Sequence, residues 1–292
     1  MKRAGMKPVD PFLKRIMADA VRERARARAA RRDWQRLNRG RPKPPYATVL
    51  QLLRRDHPRE VKALLEHATK TREWMAKSIA AFAKRRHILD RPLPPAPPAD
   101  GAISIDTADA TLPTSGDCIG DPNSRILRVS DNVRGRGGPV GVEAVGNRGD
   151  NSCDLYFSFT SPKTGLADTV VNGWVGGIYA IHYNPVWWAN VEAFFRLTMK
   201  IKVWSLYKGA IASHSDQVVV NDRSNVDEMV AEMVPFAVGP VSVPVEANSK
   251  VTIRVTAAIE ADAISDQAHV YADFCGAPYG ISIDPVQVYL SP

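Results

Sequence analysis

The stretch Val191-Glu-Ala-Phe-Phe-Arg-Leu-Thr-Met-Lys-Ile-Lys-Val203 decides what kind of chain this is. Val191, Ala193, Phe195, Leu197, Met199, Ile201 and Val203 share one side of an extended backbone. Glu192, Arg196, Thr198, Lys200 and Lys202 share the other, with Phe194 the exception. Alternation sustained this long marks a strand with one face in a core and one toward water.

The same pattern recurs C-terminally, where Val251, Ile253, Val255, Ala257 and Ile259 alternate with Thr252, Arg254, Thr256 and Glu260. Shorter strands are expected at Ile103–Asp106, Ile126–Val129, Leu155–Phe159, Gly177–Ile181, Gln217–Val220, Val241–Val245, Ala268–Phe274, Ile281–Ile283 and Val286–Tyr289. Turn-forming runs separate them, among them Asp121-Pro122-Asn123, Ala247-Asn248-Ser249-Lys250 and Gly276-Ala277-Pro278-Tyr279-Gly280. One short helix is expected at Val226–Met233, and the Gly-, Arg- and Asn-rich run from Asp131 to Asp150 reads as a long loop. Many strands with few helices predict an antiparallel, jelly-roll-like sandwich over residues 101–292.

Residues 1–91 follow a different period. Asp10-Pro11 is a helix start, with Asp as N-cap and Pro at the first helical position. Asn38-Arg39-Gly40 before Pro42 is a stop. Between them Ile16, Ala20, Glu23, Ala27, Ala30, Trp34 and Leu37 form a narrow stripe at four-three spacing. A second long helix is expected from Asp56, with the stripe Val61, Leu65, Ala68, Arg72, Met75, Ile79 and Phe82, and a short helix at Thr48–Arg55 between the two. Two matched seams predict an antiparallel helical hairpin, or a coiled coil between subunits on the same seams; the seams are Ala-rich, so packing on another subunit, and thus a homo-oligomer, is expected. The prolines of residues 92–100 predict a stiff, extended linker. The fold class expected is therefore α+β by segregated domains.

Charge divides at the same place. Residues 1–91 hold 26 basic and 9 acidic side chains, a net of +17, while residues 92–292 hold 13 and 22, a net of −9. The candidate polyanion-binding set is Arg22, Arg24, Arg26, Arg28, Arg31, Arg32, Arg36 and Arg39, whose guanidinium forks match phosphate oxygens. Nucleic acid or an acidic protein surface is the partner this implies. A solvated helix face would carry the same residues.

Nothing in the chain spells a reaction. There is no GxSxG elbow, P-loop, GxGxxG or HExxH. His269 and Asp273, four apart on one strand face, lie roughly 13 Å apart at ~3.3 Å per residue, too far for a dyad. Asp216, Asp222, Asp227 and Glu228 form an acidic run that matches no calcium-loop spacing. Arg148-Gly149-Asp150 reads as a loop tripeptide. Trp174, Tyr179, Tyr183, Trp187 and Trp188 form an aromatic cluster, in which Trp187 and Trp188 are the weak ligand-binding candidates through stacking on sugar rings. No metal or cofactor is expected. The three cysteines, Cys118, Cys153 and Cys275, have no metal spacing and read as free thiols of a reducing compartment. With no apolar run of membrane-spanning length and no signal-peptide pattern, a cytoplasmic or virion-like setting is favoured.

The plan of an arginine-rich arm before a β-sandwich resembles that of small viral coat proteins, which implies an arm that neutralises genome and a sandwich that builds a shell. The reading from the residues is a non-enzymatic binding or structural protein: a basic helical region that assembles or docks on a polyanion, tethering a β-sandwich interaction module. A carbohydrate-binding or glycan-processing sandwich and a cargo or effector with an N-terminal loading region are the other classes the residues allow.

Overall fold

The computed structural model describes residues 10–39, 55, 58, 59, 62, 102–113, 118, 120–134, 147–183, 192–222, 226–264, 268–275 and 280–292. The chain divides into two compact units, Met1–Pro44 and Pro45–Pro292.

In the first unit, α1 spans Pro11–Arg39. Asp10 caps it as expected: its carboxylate accepts from the Phe12 amide at 2.8 Å and the Leu13 amide at 3.3 Å, satisfying donors that a helix start leaves without partners. The expected second helix and the linker fall almost wholly outside the described residues, so α1 alone represents the anticipated hairpin or coiled coil.

In the second unit the described residues form thirteen strands in order: β1 (Ile103–Ile105), β2 (Ala110–Pro113), β3 (Ile126–Leu127), β4 (Val129–Arg134), β5 (Asn147–Thr160), β6 (Gly165–Tyr183), β7 (Glu192–Ser205), β8 (Ile211–Asp222), β9 (Val226–Val245), β10 (Lys250–Ile264), β11 (Ala268–Phe274), β12 (Gly280–Ile283) and β13 (Val286–Ser291). Their pairings are antiparallel. Five strands make one sheet in the order β2-β5-β10-β7-β8. In the other sheet β6 is the spine. One of its edges pairs with β9 along nearly its whole length, and the other takes β13, β12 and β11 in succession. Strand β1 adds to β13, β3 to β12 and β4 to β11.

The alternation read from the sequence is the alternation of burial. Ala193, Phe195, Leu197, Met199, Ile201 and Val203 of β7 are all buried, as are Val251, Ile253, Val255, Ala257 and Ile259 of β10. They meet the inward residues of the other sheet in one core. Its centre is a ring stack: Phe195 lies 4.8 Å from Tyr179 of β6 and 6.1 Å from Phe274 of β11, joining the two sheets. Strand β6 makes room for core rings with glycine. A Cβ on Gly177 would stand 2.3 Å from the Phe274 ring, and one on Gly173 would stand 2.7 Å from the Phe236 ring.

Three expectations are corrected. Val226–Met233 is not a helix but the first part of β9, because pairing with β6 overrides a weak four-residue period. The run Asp131 to Asp150 is not all loop: its ends lie in β4 and β5. The cysteines are not all free thiols. Cys118 and Cys275 form a disulfide, since the fold brings positions 157 apart in sequence to a Cα–Cα distance of 5.5 Å. Cys153 is the free cysteine, buried, and its thiol is pushed up from the ordinary range chiefly by that burial.

Candidate functional site

Among the described side chains of α1, burial is confined to the first three turns. Leu13, Ile16 and Ala20 are buried, whereas Glu23 and Ala30 of the expected stripe are exposed. The side chains of Ala27, Trp34 and Leu37 lie outside the described residues. Leu13, which the expected stripe does not include, belongs to the buried face. Arg22, Arg26 and Arg28 are exposed and Arg24 is half-buried; Arg22 bonds to Asp19 one turn earlier. Arg31, Arg32, Arg36 and Arg39 are on the same helix, with side chains outside the described residues.

Of the aromatic cluster, Trp174 and Tyr179 have described side chains. Tyr179 is in the core, and Trp174 is half-buried on the outward face of the eight-stranded sheet. Trp187 and Trp188 lie outside the described residues. The acidic run divides between sheets, with Asp216 and Asp222 on β8 and Asp227 and Glu228 on β9. Among the described residues no group of His, Cys, Asp and Glu is placed to hold a metal ion. Arg148-Gly149-Asp150 is strand, paired residue by residue with Asp262, Ala261 and Glu260 of β10, and not the expected loop.

His269 and Asp273 do share the outward face of β11, as their spacing requires, with Tyr271 between them. His269 Nε2 is 2.7 Å from Asn132 Oδ1, and Asp273 accepts from the Tyr271 hydroxyl at 3.3 Å and the Cys275 amide at 2.9 Å. His214 bonds to Asp216 at 3.0 Å on exposed β8. His182 stands opposite His269 in the β6–β11 register.

A more concentrated arrangement occupies the outward face of the five-stranded sheet. Lys202 of β7 faces Arg254 of β10 directly. Both lean over one indole, that of Trp204, with Lys202 Nζ 5.2 Å and Arg254 Cζ 5.5 Å from its ring centre. Like charges opposite each other on a sheet repel. Next to them, buried Asp154 accepts from the Tyr156 hydroxyl at 3.0 Å and the Thr256 hydroxyl at 2.8 Å. Burial first, then the Asp154 charge, push the Tyr156 phenol far above its usual range, while Arg254 opposes the shift. Further along the face Arg196 lies over Phe194 at 4.9 Å and 3.4 Å from Glu260. Strand alternation marks Lys200 and Lys202 as outward, but only the register of β7 on β10 brings Arg254 to them.

No protein-family model matches the sequence, and no curated protein matches it. Among solved structures, TmCBM61 in complex with beta-1,4-galactotriose is similar at 14% identity, over 62% of this chain and 88% of that one, with a TM-score of 0.23. A CocE/NonD family hydrolase from Staphylococcus aureus is similar at 7% identity, over 50% of this chain and 37% of that one, with a TM-score of 0.20.

Proposed function

We propose that the chain is a non-enzymatic binding protein in which α1 is a polyanion-docking arm and the β-sandwich is the interaction module it carries. The observation that supports this is the division of α1 along its length. Leu13, Ile16 and Ala20 are buried in its first turns, and the exposed arginines Arg22, Arg26 and Arg28 follow immediately. A formed helix offers its cations with less ordering entropy to lose on binding than a disordered tail would have. Phosphate is the anion that guanidinium forks match best, so a nucleic-acid backbone is the first ligand of this reading.

The test is binding of the full-length protein to a labelled single-stranded oligonucleotide over a salt series. The reading expects affinity to fall steeply with salt. It expects R22Q/R26Q/R28Q to weaken binding and flatten the slope by about 0.7 for each phosphate no longer neutralised. A flat salt response, or a triple variant that binds as tightly as the parent, would sink it.

A further inference from the structure

Three turns meet at one end of the sandwich. The turn after β5 is joined to that before β10 by Ser161 N to Ser249 O at 2.9 Å and Asn248 N to Ser161 O at 2.7 Å. The Ala247 amide donates to the Thr164 hydroxyl at 3.1 Å. The β7–β8 turn is held in turn by Leu206 N to Lys250 O at 3.0 Å. The end is therefore one hydrogen-bonded surface, not three independent loops.

That surface is both apolar and cationic. Leu206 is 51% exposed and Ile211 is 59% exposed, flanking the 3-10 turn Tyr207–Gly209, whose Lys208 Nζ lies 4.9 Å over the Tyr207 ring. Ile211 stands opposite Trp204 in the β7–β8 register. Lys163, Lys208 and Lys250 lie in or beside the turns, with Lys202 and Arg254 about 10 Å behind the end of β7 at ~3.3 Å per residue. Glu246 is the one carboxylate among the described residues of these turns.

We propose that this end of the sandwich docks on an anionic lipid surface. Leu206 and Ile211 enter the boundary between headgroups and acyl chains, Trp204 and Tyr207 sit at headgroup depth, and the lysines face lipid phosphates and carboxylates. A sugar polymer fits less well: it needs a bare aromatic face, and the Trp204 ring already carries two cations. Neither a sugar nor a nucleic acid gives exposed Leu206 and Ile211 a role. The proposal is independent of the arginines of α1.

The experiment is co-sedimentation of the full-length protein with phosphatidylcholine vesicles and with mixed phosphatidylcholine–phosphatidylserine vesicles. Binding is expected to the mixed vesicles only. K202Q/K208Q should weaken it about fivefold for each charge removed, and L206S/I211S about tenfold. Circular dichroism checks that both variants keep the sheet signal. Equal binding to the two vesicle types, or none to either, overturns the proposal. So does binding that survives both variants and is lost in R22Q/R26Q/R28Q, which would assign it to α1. Binding to dextran sulfate but not to vesicles would make the surface a site for anionic polymer instead.

Discussion

Tyr156 and Asp154 lie two residues apart on one face of β5, and the phenol donates to the carboxylate at 3.0 Å while Thr256 of β10 donates to its other oxygen at 2.8 Å. All three side chains are buried. The carboxylate thus ties two central strands together from the side away from the core. Asp154→Ala would leave both hydroxyls without their acceptor. At ~1–3 kcal/mol for each orphaned donor, a loss of about 2–4 kcal/mol is expected in urea unfolding. A loss under about 0.5 kcal/mol would mean water replaces the carboxylate there.

The Tyr156 phenol also sets an alkaline limit. Its folded-state pKa is raised above the unfolded value of about 10, so the native state keeps a proton that the unfolded chain gives up. The stability this contributes is full below pH ~10 and is lost as the pH climbs above it. Tyr156→Phe should flatten the decline of stability at alkaline pH while the parent falls. Parallel curves would place the alkaline transition elsewhere.

Gly177 is a packing requirement. Its Cβ position is 2.3 Å from Phe274 Cδ1 and 2.8 Å from the Asp273 carbonyl, a backbone atom that cannot swing aside. Gly177→Val should cost about 1–3 kcal/mol through overpacking, read from thermal or urea unfolding. Gly209, with nothing near its Cβ position, is the control for space, although its φ of +62° carries its own penalty.

The cysteines give a chemical count. The native protein should show no thiol reacting readily with Ellman's reagent, because Cys153 is buried and the other two are bridged. Denaturation without reductant should release one thiol, and denaturation after reduction three. Reduction removes a cross-link closing 157 residues of chain and should lower stability by about 2–5 kcal/mol. Three thiols released without reductant would show that the bridge does not form.

Asp10 acts locally. Asp10→Ala should cost α1 about 1 kcal/mol and speed hydrogen exchange at the Phe12 and Leu13 amides.

The sandwich is legible in the sequence where one face of a strand is apolar and the other polar. Alternation marks β7 and β10 nearly to their ends, and Ala268–Phe274 is expected and observed with the same bounds. Only Gly177–Ile181 of β6 stands out in the sequence, because its glycines break the alternation that identifies a strand. The start of β9 mimics a helix, because Val226, Met229, Val230 and Met233 recur at helical spacing in a segment whose structure is set by β6. Candidate surfaces are less legible for a related reason. Each strand tells which side chains point outward, but the meeting of Lys202 and Arg254 over Trp204, and of Cys118 with Cys275, depends on pairings between distant segments. No local pattern encodes those.

The position of β6 as spine also orders events on the ribosome. Its partners β9, β11, β12 and β13 are all made after it, and β1 pairs with β13, the last of the described strands to be synthesised. For most of translation the longest apolar strands of the sheet therefore have no neighbours. Closure waits for residues 286–291, and folding with so many long-range pairings is slow. Until then the nascent chain is a natural client for a holding chaperone, and an early stop within β13 would leave β1 with no strand to join.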